Sequence, residues 1–511
     1  VDQLPRVKRW CAHNVKFDAH MLREFGILMP HEDRMYCTMV RAALIDEHRL
    51  GYDLDSLGEH YLKERKTEDI YKKLADLFGG SPTRSAQIGN LHRAPKALVG
   101  EYAEKDAELA YKLWHWQEGE IERQNLHKVE RLERLLTPVL IDMEVQGVAV
   151  DVDKAEETGQ MLDREIEKTQ SALDKASGRN GFNANSPKQV KELFDPKPSD
   201  TGQGFVLRDG TWCPQTNANN PSLQKETLQA MKDPAAARIL EYRSLVKMRG
   251  TFIDGHILGS HDGGVVHCSF NQTKNDSDLG TGTGRLSVSD PALQQIPGRD
   301  KSVASVIRAL FLPDPGQKWA CYDWRQFEFR QFAHYSQDAQ ILRVYREDAE
   351  ADYHGLVGEI TGLPRKHTPG VKGNAKQINL GLVFGMGAGK LADEMGLPYE
   401  WSSFRKRGQD FWYKKAGQET KEILANYHRQ IPGVKKFLEG AESVAKSRGY
   451  VITAMGRHLR FPRGHGAHKA GGLILQGSSA DAMKVKMIEA YEFLKDRDAR
   501  LMLSVHDELG V

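Results

Sequence analysis

Residues 319–323 read WACYD and residues 501–507 read LMLSVHD. Each is a short apolar run ending on an acid, Asp323 in the first and Asp507 in the second, and both patterns predict strands. Between them, residues 371–385 read VKGNAKQINLGLVFG, a basic segment that turns apolar at helical spacing. An acid closing one strand, a basic helix and an acid in a hairpin make the order of parts that nucleotidyl transfer requires.

Taken alone, an aspartate after an apolar strand is most simply a turn residue. The neighbours argue for more: Glu328 follows Asp323 in DWRQFEFR, and His506 and Glu508 flank Asp507 in HDE. Joining nucleotides uses two divalent cations about 4 Å apart, and hard magnesium ions take carboxylate oxygens. Asp323 and Asp507 are the expected ligands. In the middle segment Lys372, Lys376, Leu380 and Phe384 recur every four residues, which on a helix forms one stripe. Its ammonium groups suit a triphosphate and its apolar end a base and sugar. The plain alternative is a solvated face running into a core face. Gly381 and Gly385 favour close approach by a ligand or another backbone. Arg243 and Lys247 share a helix face in LEYRSLVKMRG, and Arg285 sits in GTGRLSVSDPALQQIP. All three suit duplex DNA, although surface cations are more often merely solvated.

Composition bounds the setting. The 511 residues exceed one core and predict three or four domains. A formal charge of +2 with 28% charged residues means that any nucleic-acid partner must be argued from local patches. Cys11, Cys37, Cys213, Cys268 and Cys321 form no CxxC pair, which fits free thiols in a reducing compartment and disfavours structural zinc. No apolar run reaches the roughly 18 residues needed to span a bilayer, and no secretion signal opens the chain. A soluble, intracellular protein is expected. The sequence opens on Val1 without an initiator Met and closes soon after Glu508, so both ends look cut.

Along the chain, residues 1–120 mix short apolar runs with acidic motifs, and a helical pattern begins at IERQNLHKVERLERLLTPVLIDME. From Ser186 to Glu226 a region rich in Pro, Gly, Asn and Asp reads as loop, and helices resume through PAAARILEYRSLVKMRG. Short strand-like runs start near Ser260, residues 346–449 read as helical, and strand character returns at YVITAMGRHLRF.

Asp323 to Arg330, Lys372 to Gly385 and His506 to Glu508 resemble motifs A, B and C of family A DNA polymerases, the DNA polymerase I type. The stretches FNANSPKQVKELF, TGRLSVSDPALQQIP, GYVITAMGRHLRFP and QGSSADAMK are similar to the same family. The resemblance covers nearly the whole chain. It implies an α+β multidomain fold: a ribonuclease H-like 3'-5' exonuclease domain followed by a right-hand polymerase. The segments would be 1–120 partial exonuclease, 121–255 thumb, 256–345 first part of the palm, 346–449 fingers and 450–511 second part of the palm.

It also implies roles. Asp323 and Asp507 would hold two Mg2+ ions, Glu328 would exclude a ribose 2'-hydroxyl, and Glu508 would support the primer end. Lys372, Lys376 and His354 would bind the incoming phosphates, with Leu380 and Phe384 at the sugar and base. Arg285, Gln294 and Gln476 would read the minor-groove side of the terminal pair and nearby template, His506 would bind DNA, and Arg243 with Lys247 would grip the duplex. Template, primer and dNTPs are the implied partners of a monomer, with a phage enzyme favoured. Four departures carry expectations. Lys372 replaces an arginine and weakens the grip on the triphosphate. Leu380 replaces an aromatic residue. Phe384 replaces a tyrosine whose hydroxyl would partner Glu328, so Glu328 should be held less firmly. Trp324 and Arg325 replace smaller or more polar residues.

HNVKFD, ending at Asp18, and YAEKD, from Tyr102 to Asp106, resemble the second and third exonuclease motifs. The first, a DxE pair, should lie upstream of HNVKFD and is absent there, so no proofreading hydrolysis by this chain is expected. A chain closing at Val511 should leave the second strand of the motif C hairpin almost nothing to pair with, which predicts weak polymerisation by this length of chain. Two rival readings remain: a single-subunit RNA polymerase, and a catalytically inactive DNA-binding protein of the same fold.

Overall fold

The computed structural model describes residues 7–27, 29, 33–65, 69–200, 204–216, 218–273, 282–296, 301–368, 371–383, 385–406, 409–505 and 507–511. Its contacts fall into two compact units. One comprises Val1–Val145, Phe270–Ser287 and Cys321–Val511, the other Gln146–Ser269 and Val288–Ala320. None of the five cysteines is in a disulfide. Among the described residues no helix is long and apolar enough to cross a membrane.

In the first unit the N-terminal segment pairs Trp10–Ala12 in parallel with Met35–Cys37. Helices Val15–Glu24, Thr38–Ile45 and Lys96–Arg123 accompany these strands. Val15, Ala19, Met35 and Val40 fill one small core, and Leu57, Leu109 and Leu113 fill the next.

Farther along, the first unit carries a three-stranded antiparallel sheet in which Glu508–Gly510 lies between Cys321–Asp323 and Leu503–Val505. The expectation that the last strand would have almost nothing to pair with is therefore corrected. Its hydrogen bonds are taken on both edges because the distant strand Cys321–Asp323 supplies the second partner.

Helices Phe327–Ser336, Tyr353–Thr361, Ala375–Val383, Ala388–Glu394 and Gln418–Gln430 enclose a core of Phe332, Tyr353, Ile378, Leu391 and Tyr427. Within it the hydroxyls of Tyr353 and Tyr427 meet at 2.8 Å. Residues 346–449 are not helical throughout, as the sequence reading held. Tyr399–Lys406 and Gln409–Ala416 form an antiparallel hairpin of two eight-residue strands. YEWSSFRK and QDFWYKKA alternate only loosely, so their aromatic and basic content hid a period of two. Lys414 lies over the rings of Tyr399 and Trp401 and stitches the pair.

The basic stripe is also corrected. Asn374 Oδ1 accepts from the Gln377 amide at 3.0 Å, and the helix runs only over Ala375–Val383. Lys372 thus precedes the helix, and the stripe shortens to Lys376 and Leu380; Phe384 lies outside the described residues. Gly385, at φ 69°, leaves no room for a Cβ against the His468 carbonyl, so the close approach foreseen there is made by another backbone segment.

The second unit is built on helices Val152–Ser177 and Pro234–Lys247, the latter running into a π-helical turn over Met248–Leu258. A four-stranded antiparallel sheet orders Phe311–Leu312, Val148–Val150, Val265–Val266 and His261–Asp262. The stretch read as loop from Ser186 to Glu226 instead opens with the helix Pro187–Phe194 and holds a small sheet of Lys197–Pro198, Phe205–Val206 and Trp212–Cys213. Ser186 caps that helix and Pro187 occupies its first turn, so residues that break helices elsewhere start one here.

Candidate active site

Asp323 closes its strand directly opposite Glu508. Residues opposed in an antiparallel pair project from the same face, so these two carboxylates are neighbours. Asp507 adjoins them, because the Trp324 amide donates to the Asp507 carbonyl at 3.2 Å. Burial raises the pKa of the Asp323 carboxyl, and the charges of Asp507 and Glu508 raise it further. Acids held this close repel one another and suit a shared cation. Among the described residues no three His, Cys, Asp or Glu side chains close a metal cage by themselves. Asp323, Asp507 and Glu508 are the carboxylates that could hold a cation, with other oxygens needed to complete its shell. Asp323 also opens, with Tyr322, Trp324, Arg330, Lys486 and Phe493, onto a cleft of about 850 Å³. That cleft is not lined by Asp507, Glu328 or Lys376, so it is not read as the nucleotide pocket.

After Asp323 the chain turns sharply. Gln326 adopts φ 53°, and its side-chain oxygen accepts from the Tyr353 amide at 2.9 Å and the Tyr345 hydroxyl at 3.2 Å. The helix Phe327–Ser336 starts there, with Glu328 in its first turn. Burial raises the Glu328 pKa, and Arg285, whose Nη2 donates to Glu328 Oε1 at 2.5 Å, acts against that rise. Glu328 is therefore held firmly, contrary to the expectation drawn from Phe384. By resemblance Arg285 is expected to face DNA, and nothing in its surrounding sequence signals this ion pair.

Lys376 stands exposed in the first turn of its helix, Lys372 is exposed ahead of it, and Leu380 packs half-buried on the helical core. His354 is buried beside Phe329, and burial lowers its pKa to about 4. At neutral pH it is uncharged. Asn379 Nδ2 lies 2.9 Å from its Nδ1, an arrangement in which the amide donates and the ring proton sits on Nε2. His354 can thus offer a hydrogen bond to phosphate without a charge. Sequence reasoning missed Asp352 and Arg365 nearby. Asp352 caps the helix that carries His354 and pairs with Arg365, whose carbonyl accepts from the Lys376 amide at 3.3 Å.

Gln476 is half-buried on the helix Ala470–Leu494. His506 lies outside the described residues. In the second unit Arg243 donates Nε to the Ala184 carbonyl at 2.9 Å, while Lys247 is exposed with its ammonium over Phe252. Gln294 sits half-buried in the short turn Leu293–Gln295. In the N-terminal segment Asp18 lies on the helix Val15–Glu24, its pKa raised by burial. Tyr102 and Asp106 are one turn apart on Lys96–Arg123, and the Tyr102 ring meets Tyr71 edge-on.

Comparison with known proteins accounts for both halves of the chain. The sequence profile described as DNA polymerase family A matches residues 152–511, and one described as 3'-5' exonuclease matches residues 7–121. The DNA polymerase DpoZ of Acinetobacter phage SH-Ab 15497 is 49% identical over 519 residues, covering 100% of this chain and 83% of its own. The thermostable DNA polymerase I of Thermus aquaticus is 31% identical over 80% of this chain and 46% of its own. Among solved structures, the POL domain of Pol1 from M. smegmatis, in complex with DNA primer-template and dNTP, superposes with a TM-score of 0.75 at 23% identity, over 98% of this chain and 78% of that one.

Proposed function

Since this chain belongs to the family A DNA polymerases, and is thus a DNA-directed DNA polymerase, we propose that it extends a DNA primer along a template from dNTPs by two-metal nucleotidyl transfer, in replication or repair. The observation that carries this reading is the meeting of Asp323 with Asp507 and Glu508, remote from it in sequence, at one end of a three-stranded sheet.

Asp323 and Asp507 would hold two Mg2+ ions, which when bound activate the primer hydroxyl and neutralise the leaving pyrophosphate. The remaining work falls to the chain. Lys376 and Lys372 hold the triphosphate by charge, and neutral His354 adds a directed hydrogen bond. Leu380, with Phe384, supports the sugar and base. Glu328 occupies the space that a ribose 2'-hydroxyl would need. Glu508 steadies the primer end. Arg285, Gln294 and Gln476 read the minor groove, His506 binds DNA, and Arg243 and Lys247 grip the duplex. The segments fit a thumb over 121–255, a palm over 256–345 and 450–511, and fingers over 346–449.

Residues 1–120 read as part of a 3'-5' exonuclease domain, with Asp18 and Asp106 as its acids and Tyr102 beside them. Asp18→Ala is the variant that tests those acids, in an assay for degradation of a mismatched primer end. The protein works as a monomer in the cytoplasm of a bacterium or its phage-infected counterpart, a setting supported by its phage relatives. Neither the RNA polymerase nor the inactive DNA-binding reading draws support from the family match.

The test is primer extension. Asp323→Asn and Asp507→Asn should each abolish extension while duplex binding persists. Extension at the parent rate by either variant would refute the assignment, and preference for rNTPs without a primer would restore the RNA polymerase.

A further inference from the structure

The sequence reading left Glu328 without its usual hydroxyl partner, yet the structure surrounds that carboxylate with a rigid support. We propose that Arg285 is the positioning residue of the sugar gate: its guanidinium fixes the Glu328 carboxylate where a 2'-hydroxyl would fall, so that discrimination between dNTPs and rNTPs depends on Arg285 as well as on Glu328. This inference rests on the reading of Glu328 as the gate.

Both ends of the ion pair are anchored. On one side Arg285 follows Gly284, which takes φ 84° and lies so close to the Arg457 guanidinium that a Cβ there would collide with it. Arg457 is itself immobilised in a buried cluster with Glu133 and Asp481. The loop bearing Arg285 thus packs against this cluster one residue away from the arginine. On the other side Glu328 stands two residues after Gln326, whose side-chain oxygen accepts hydrogen bonds from the Tyr345 hydroxyl and the Tyr353 amide. The pair spans these fixed points at 2.5 Å, with Glu328 largely buried and Arg285 half-buried.

A carboxylate in the first turn of a helix retains rotamer freedom unless something holds it, and displacement of about 1 Å matters at a reacting centre. Phe384 cannot supply a hydroxyl to Glu328. Arg285 takes that task by charge.

The test compares Arg285→Ala, Arg285→Lys, Glu328→Ala and the Arg285→Ala/Glu328→Ala double variant in single-nucleotide primer extension. The readout is the ratio of kcat/KM for a dNTP to that for the matching rNTP. Glu328→Ala should lower the ratio strongly and Arg285→Ala by roughly tenfold or more, as expected for loss of a charged hydrogen bond. The double variant should match Glu328→Ala alone, because Arg285 acts through the glutamate. Arg285→Lys should be intermediate, and added guanidinium ion should raise the ratio of Arg285→Ala, a rescue that also shows the variant to be folded. If Arg285→Ala lowers kcat/KM for both sugars by one factor while Glu328→Ala changes the ratio, the inference falls and the gate stands. If Glu328→Ala leaves the ratio unchanged, the gate reading falls and takes this inference with it.

Discussion

Replacing Glu133 with glutamine tests what holds the interior of the first unit together. Glu133 lies on the helix His127–Gln146, and its carboxylate accepts from Arg457 and, at 2.5 Å, from Lys484. Arg457 also donates to Asp481 at 2.8 Å, and all four side chains are buried. Two acids balance two bases. An amide at position 133 leaves a surplus positive charge in a site closed to water, and breaking a buried pair in this way costs roughly 3–5 kcal/mol. Linkage gives a similar figure. Burial pushes the Glu133 carboxyl up, but Lys484 and Arg457 outweigh it and hold the pKa at about 2, down from 4.5. At about 1.4 kcal/mol per unit, this is about 3 kcal/mol of stability. At Lys484 burial prevails and the ammonium is lowered, whereas Arg457 is raised by the two acids, so the arginine is the firmer cation.

The sign follows from the depressed acid. Its stabilisation is complete above 4.5 and disappears as pH falls toward 2. Thermal unfolding at neutral pH should show Glu133→Gln melting on the order of 10 °C below the parent. The gap should close as the buffer is acidified through that window. A variant that melts with the parent at neutral pH, or a gap that widens in acid, would refute the account.

Three further outcomes follow from the site. Lys376→Ala should raise KM for dNTPs by roughly tenfold to a hundredfold with melting unchanged, since one charged contact to phosphate is lost; steady-state extension with an unaltered KM would contradict that role. Because burial holds His354 at about 4, below its ordinary 6.5, the unfolded chain binds its proton first and stability from this residue falls as pH drops from 6.5 toward 4. His354→Gln should flatten that part of the melting profile, and an unchanged slope would count against it. Duplex binding should weaken steeply with salt, the logarithmic slope counting roughly 0.9 ion per phosphate contacted; a flat titration by fluorescence anisotropy would remove the duplex-gripping roles of Arg243 and Lys247.

The parts legible in the sequence were those with short-range signatures. WACYD and LMLSVHD announced strands closed by acids, and the structure sets Asp323 beside Glu508 in one sheet. Gly385 announced a close approach that the His468 carbonyl makes. Other features depend on distant partners and left no local trace. The cluster of Glu133, Arg457, Asp481 and Lys484 draws on three separated segments, each of which reads as an ordinary charged surface. The pairing of Arg285 with Glu328 likewise joins a loop to a helix start. The hairpin Tyr399–Ala416 was missed for another reason: Lys and Arg interleaved with aromatics resemble a basic helix until the alternation is counted. Ser186 and Pro187 misled in the opposite direction, since capping residues and loop residues are the same amino acids.

Gly284, lying without a side chain against Arg457, ties the innermost ionic knot to the loop that faces the chemistry. Under the proposed role of Arg285, damage to that cluster is therefore expected to lower sugar discrimination as well as stability. A screen for strains that misincorporate ribose should recover lesions far from any nucleotide, and they should converge on this single bare position and the residues that brace it.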